Sequence, residues 1–215
     1  MSDGSGATRS VLVPAARVPR WFENFAGRHG AYRLSVADGA LHAEAEDGSC
    51  AVATLPWALQ YAGPADPASF AEAARAELRW GVLVVRRGGF AIAAGTGLTP
   101  AYTKVGRRHV QGQTKAGGWS QQRYARRRDN QVRAAFEAAA DHAHRVLHTE
   151  FGGVQSLVCG GDRPAVEAVL EDARLGDLRQ VRTERWLAVG DPSAEVLRKA
   201  VADAHATQVM VTDPA

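Results

Sequence analysis

Fifteen consecutive residues in the middle of the chain, Gly106–Ser120, are too polar and too rich in glycine to hold a helix or a strand. Regular structure reads on both sides of them. A loop of that length inside a compact domain is uncommon, and its backbone groups need water, so it belongs at the surface. It therefore splits the fold into what can form before it and what can form after it. Before it, Trp80–Val85 is a continuous apolar run of the kind found in a strand buried on both faces. Arg87-Gly88-Gly89 turns that run into Phe90–Gly95, and Ala101–Val105 makes a third strand of an antiparallel meander. After it, an amphipathic helix is expected from about Gln121 to Thr149, roughly 40 Å at 1.5 Å per residue. Its apolar side is set by Tyr124, Val132, Phe136, Ala139, Ala143 and Val146 at the 3–4 spacing of a helix.

Beyond the helix the pattern alternates: a strand at Gln155–Cys159, a helix at Pro164–Ala173, a strand at Gln180–Trp186 and a helix at Pro192–Ala206. A meander followed by such alternation predicts an α/β (α+β) fold, a mixed sheet flanked by helices. The first part of the chain reads as a small, β-rich unit. It has a short helix at Trp21–His29 and strands at Tyr32–Val36, Ala40–Ala45 and Cys50–Leu55, with turns at Asp38-Gly39 and Asp47-Gly48. Asp66-Pro67 is a good N-cap and first-turn pair for a helix from Ala68 to Arg79. The expected division is a disordered Gly/Ser-rich tail at 1–10, an N-terminal unit at 11–66 and a second domain at 67–215.

The charge is concentrated around the loop. Lys104 to Arg133 holds nine Lys or Arg and one acid, Asp129, a local charge of +8 in a chain of net charge +3. Gly117 and Gly118 free the loop tip from the usual restriction on φ, and Gln121 and Gln122 follow closely. Arg123, Arg126 and Arg127 then open the helix, with Arg108 and Lys115 on the incoming side. Cations at a helix N-terminus oppose its dipole by a few tenths of a kcal/mol each. The cluster is relieved when it meets a polyanion, and folded RNA is the reading that follows. A solvated arginine face beside an ordinary surface loop is the plain alternative.

The segment Gly117-Gly118-Trp119-Ser120-Gln121-Gln122-Arg123-Tyr124-Ala125-Arg126-Arg127-Arg128 resembles the middle domain of eukaryotic and archaeal class I peptide-chain release factors. Those carry Gly-Gly-Gln, then Ser and an Arg-aromatic-Ala-Arg helix start. The resemblance in element order runs from about Trp80 to Ala206. It implies a ribonuclease H-like mixed sheet that delivers a glutamine loop, here 106–122, to the peptidyl transferase centre. In ungapped register the family's glutamine falls on Trp119. Glutamine displaced to three residues past the glycine, as in Gly118 to Gln121, resembles the release-factor-like hydrolases of ribosome-associated quality control, of which this would be a VLRF-type bacterial branch. The resemblance implies a peptidyl-tRNA hydrolase acting on stalled large subunits, with Gln121 first and Gln122 second as the functional amide. A neutral amide and backbone N–H groups can position water and stabilise an oxyanion without titrating. Trp119 would stack on a base or ribose of the tRNA terminus, or latch the loop to the domain. The partners implied are large-subunit rRNA and tRNA, and 215 residues leave no room for a stop-codon-reading domain.

Two readings compete. One is a non-catalytic ribosome- or RNA-binding factor that has lost the tip chemistry at Trp119. The other is a nuclease acting on the tRNA 3′ end, although the loop lacks the clustered carboxylates of a two-metal site. His144 and His148 have zinc-pair spacing but no evident third ligand, so neither metal nor cofactor is expected. Gly160-Gly161-Asp162 reads as a turn in which Asp162 caps the following helix. Two well-separated cysteines, Cys50 and Cys159, fit two buried thiols in a reducing cytoplasm. No apolar run approaches the roughly 20 residues of a membrane span, and a monomer is expected.

Overall fold

The computed structural model describes residues 7–107 and 119–214, and among these the side chains of all but 119–129. In chain order the elements are β1 (Thr8–Val13), α1 (Val18–His29), β2 (Tyr32–Ala37), β3 (Ala40–Ala45), β4 (Cys50–Thr54) and α2 (Pro67–Ala73). Then follow β5 (Arg79–Arg86), β6 (Gly89–Thr96), β7 (Thr99–Arg107) and α3 (Trp119–His144). The chain closes with β8 (Ser156–Gly161), α4 (Arg163–Leu170), α5 (Gly176–Gln180), β9 (Arg182–Leu187), α6 (Ala194–Ala204) and β10 (Thr207–Thr212). No helix among the described residues is long and apolar enough to cross a membrane.

Two compact units result, Met1–Glu77 with Ala202–Ala215, and Leu78–Val201. In the first, a five-stranded sheet runs β1-β10-β4-β3-β2, antiparallel throughout. The β2–β3 turn is an Asp-Gly pair with both residues at positive φ, Asp38 at 50° and Gly39 at 71°, as a two-residue hairpin demands. Phe22, Phe25 and Val18 of α1 and Phe70 of α2 bury against Leu41, Ala53, Val209 and Val211. Asp66 caps α2 as expected, its carboxylate accepting from the N–H groups of Ala68 and Ser69 at 2.9 Å each.

This division departs from the expected one in three ways. Residues 67–77 pack with the first unit, because Phe70, Ala71 and Ala74 enter its core; α2 ends at Ala73 rather than Arg79. The last strand returns to the first unit, as β10 lies between β1 and β4. And Thr8–Ser10, expected in a disordered tail, pair with Met210–Thr212 in β1.

The second unit follows the expected pattern closely. Its sheet runs β7-β6-β5-β8-β9, with the β5–β6–β7 meander antiparallel and β5–β8–β9 parallel. The run at 80–85 is buried throughout, so β5 is the covered central strand that its composition predicts. Leu83, Ile92, Leu157 and Cys159 face a core shared with Ala139, Ala143 and Leu147 of the long helix segment and Val166 and Leu170 of α4. Val82, Val84, Ala91, Ala93 and Val158 alternate with these and are equally buried. The result is a mixed α/β fold.

Candidate functional site

The expected functional segment lies between the last meander strand and the long helix. Strand β7 ends at Arg107 and α3 begins at Trp119. Arg108, Lys115, Gly117 and Gly118 fall outside the described residues. Trp119, Gln121, Gln122, Arg123, Arg126 and Arg127 all lie in α3. The sequence put Trp119 and Ser120 on the loop and started the helix at Gln121; the backbone turns helical two residues sooner. Gln121 and Gln122 therefore sit in the first turn of a 26-residue helix. The first four N–H groups of a helix lack intrahelical partners and carry the positive end of its dipole.

The foot of the incoming strand is tightly fixed. A Cβ on Gly106 would lie 2.3 Å from the Phe90 ring, so the ring sits against a backbone that only glycine permits. The same ring meets His142 of α3, centroids 5.1 Å apart, and His142 Nδ1 is 3.0 Å from Arg145 Nη2. Strand and helix are joined through one aromatic ring just before the chain leaves the sheet. On α3, Ala135, Ala139, Ala140 and Ala143 are buried, and their small side chains let the helix lie close on the sheet.

At its far end α3 passes into a π-helical turn, Arg145–Glu150, and stops at Gly152-Gly153, both at positive φ (76° and 94°). Arg79 holds this end. Its Nη2 donates to Phe151 O at 2.9 Å and its guanidinium lies 5.2 Å from the Phe151 ring centre, while Tyr102 meets the same ring edge-on at 6.2 Å. The Arg79 N–H donates to Gln155 Oε1 at 2.9 Å, and Arg79 O accepts from Gln155 N at 2.6 Å. Sequence reasoning passed over Arg79 and Gln155; the glycine pair after the helix was the one local signal of an anchored end. Further along, Arg174 bridges Asp141 of α3 and Asp172 at 2.7 Å each. Its hydrogen bonds hold the Asp172 carboxyl at about 2, below the usual carboxylate range.

Other expectations resolve as follows. Asp162 stands at the N-cap of α4, but its side chain makes no capping hydrogen bond; it lies 3.4 Å from Arg86 Nε instead. His144 and His148 are neighbours, ring centroids 5.5 Å apart, and His148 Nε2 lies 3.2 Å from Asp177. Among the described residues no three His, Cys, Asp or Glu gather in metal-binding geometry. Cys159 is buried but Cys50 is exposed, because it opens β4 on the face of the sheet away from the core.

A meander and a mixed sheet, with a glycine-led, arginine-rich segment running from the meander's last strand into the longest helix, define a release-factor-like protein. Residues 78–210, more than half of the chain, match the model described as the Actinobacteria/chloroflexi VLRF1 release factor, and the chain belongs to that family. Among solved structures it is similar to the archaeal translation termination factor aRF1, with 14% identity and a TM-score of 0.43 over 94% of this chain and 65% of that one. The Vms1 mitochondrial localization core gives 10% and 0.43 over 90% and 80%, and Archaeoglobus fulgidus Pelota 11% and 0.32 over 94% and 64%. The chain thus spans under two thirds of the aRF1 and Pelota chains. No curated protein matches the sequence.

Proposed function

We propose that this protein is a peptidyl-tRNA hydrolase acting on ribosome-bound peptidyl-tRNA, with stalled large subunits as its substrate. The observation that carries the reading is family membership joined to the position of Gln121 and Gln122 in the first turn of α3, directly after Gly117-Gly118. Water attacks the carbonyl carbon of the ester between peptide and tRNA, and the C–O bond to the terminal ribose breaks. The products are a peptide with a free carboxylate and a tRNA with an intact 3′ hydroxyl. The Gln121 amide orients the water, and first-turn N–H groups of α3 donate to the oxyanion that develops. The leaving ribose oxygen takes up a proton through the neighbouring ribose hydroxyl. Arg108, Lys115, Arg123, Arg126 and Arg127 neutralise rRNA and tRNA phosphates around the tip, and Trp119 stacks on the tRNA terminus. Such a substrate places the protein in the cytoplasm.

The test is release of nascent peptide from purified large subunits carrying peptidyl-tRNA. Gln121→Ala is expected to leave co-sedimentation with subunits unchanged and to slow release by about 10²- to 10³-fold, the usual cost of one oxyanion or water-orienting donor. Full release by the Gln121→Ala, Gln122→Ala double variant would sink the mechanism. A wild-type protein that binds subunits yet leaves the ester intact would favour the non-catalytic reading, for which Trp119 in the glutamine's usual place is the supporting feature. A shortened tRNA 3′ end would favour the nuclease.

A further inference from the structure

We propose that the carboxyl end of the second sheet is a rigid phosphate-binding edge, built from Arg87, Arg107 and Arg163, that grips the RNA backbone independently of the loop. The inference rests on the reading that the partner is RNA, and adds to it a surface the loop motif does not contain. Strands β5 and β7 are both antiparallel to β6, and β8 is parallel to β5. The ends of β5, β7 and β8 therefore coincide. The register states it directly: Arg86 pairs with Gly89, Gly89 with Arg107, and Val85 with Gly161. Arg87 in the β5–β6 turn, Arg107 at the end of β7 and Arg163 at the start of α4 thus share one edge, the same edge from which the chain departs toward the loop.

The acids of this edge are already engaged. Arg86 Nε lies 3.4 Å from Asp162 Oδ1 and 3.6 Å from Asp191 Oδ1, and its Nη1 donates to Val189 O at 3.3 Å. Arg86 is thus the ion-pair partner of both carboxylates. Arg87, Arg107 and Arg163 are exposed, and among the described residues none of them has an ion-pair partner. Among the described residues, Arg87, Arg107 and Arg163 thus carry positive charge that no ion pair offsets.

Two of the three are held in place rather than waving in solvent. Arg107 Nε donates to Pro192 O at 3.4 Å. The Arg163 guanidinium lies 4.4 Å from the Trp186 ring centre, and Trp186 Nε1 donates to Gly161 O at 3.3 Å. A guanidinium stacked on an indole keeps its N–H edge available, in a fixed plane, for the two oxygens of a phosphate. Gly161 makes this arrangement possible: at φ 90° with Val85 O 2.3 Å from where a Cβ would stand, no other residue lets β8 end so close to β5.

The test measures binding of the full chain to large ribosomal subunits and to a labelled RNA hairpin across a salt series. Each phosphate contact contributes roughly 0.7–0.9 to the slope of log K against log salt. Removing three in the Arg87→Ala, Arg107→Ala, Arg163→Ala variant should make the slope shallower by about 2. The corresponding triple lysine variant should keep the wild-type slope, which separates lost charge from lost fold. Taking the same charge from the first unit, with Arg17→Ala, Arg28→Ala and Arg33→Ala, should leave the slope unaltered. An unchanged slope in the edge variant overturns the proposal, as does an equal loss from the first-unit variant. So does tighter binding of wild type to anionic phospholipid vesicles than to the hairpin. Release assays on the same preparations keep the two readings apart: wild type that shows the slope difference but frees no peptide ends the hydrolase reading and leaves the edge standing.

Discussion

Single residues fix several features of this molecule, and glycines do so where backbones meet. Gly106 gives the Phe90 ring its place and Gly161 lets two parallel strands end together; in each a methyl group would collide at 2.3 Å. Both positions were read from sequence merely as loop or turn glycines, because the atoms they make room for come from residues far away along the chain. The cysteines show the same limit. Composition suggested two buried thiols, yet burial depends on which face of a strand a residue occupies, and a one-residue shift reverses it. Cys159 points into the core, and burial pushes its thiol up to about 12, so it stays protonated and inaccessible. Cys50 is exposed. A thiol reagent such as Ellman's at pH 8 is therefore expected to react with one equivalent in the native protein and two in denaturant. Cys50→Ser should abolish the native reaction. Two fast thiols in the native state would contradict the placement of Cys159.

Among elements, α3 and its flanking strands carry the proposed site, and their outline was legible from local pattern. The apolar run of β5, the turn glycines of the meander and the 3–4 spacing of the helix each act over a few residues, which is the range at which sequence speaks plainly. What was not legible is how the helix is held. Its anchor pairs Arg79 with Phe151 and Gln155, residues that come together only because β5 and β8 are parallel neighbours. A charged donor on a main-chain carbonyl is worth about 2 kcal/mol, and the ring contact adds somewhat less than 1 at a partly exposed site. Arg79→Ala is thus expected to lower unfolding stability by about 2 to 3 kcal/mol. It should also speed amide exchange in Arg145–Glu150 ahead of the rest of α3. Both are checked by urea titration and hydrogen exchange, and an unchanged midpoint would show that the π-helical turn holds itself. The catalytic expectation sits at the other end of the same helix. The glutamines proposed for it belong to one contiguous motif; the helix start was misplaced by two residues because Trp119 and Ser120 have weak helix preference.

On the scale of the whole molecule, the chain leaves its first unit at Glu77 and comes back to it at Ala202. Sequence reading placed that return in the second domain, since Thr207–Thr212 is one short alternating run whose partners lie some 150 to 200 residues earlier. Pairings of that separation leave no local trace. Yet β10 is central to its sheet: β1 reaches β4 only through it, and Val209 and Val211 are fully buried in the first core. Removing it takes away two strand pairings at once and orphans β1, so the cost exceeds what a two-helix, three-strand remnant can offset at this size. The second unit keeps all five strands of its own sheet. A chain ending after Ala206 is accordingly expected to lose exchange protection across β1 and β4 while retaining it in β5, β6 and β8. Calorimetry should show the remaining transition belonging to the second unit alone. Protection of β4 at the wild-type level in that truncated chain would mean that β2, β3 and β4 form a sheet without their C-terminal neighbour. The first unit would then be a fold closed within its own residues, with β10 an addition to it.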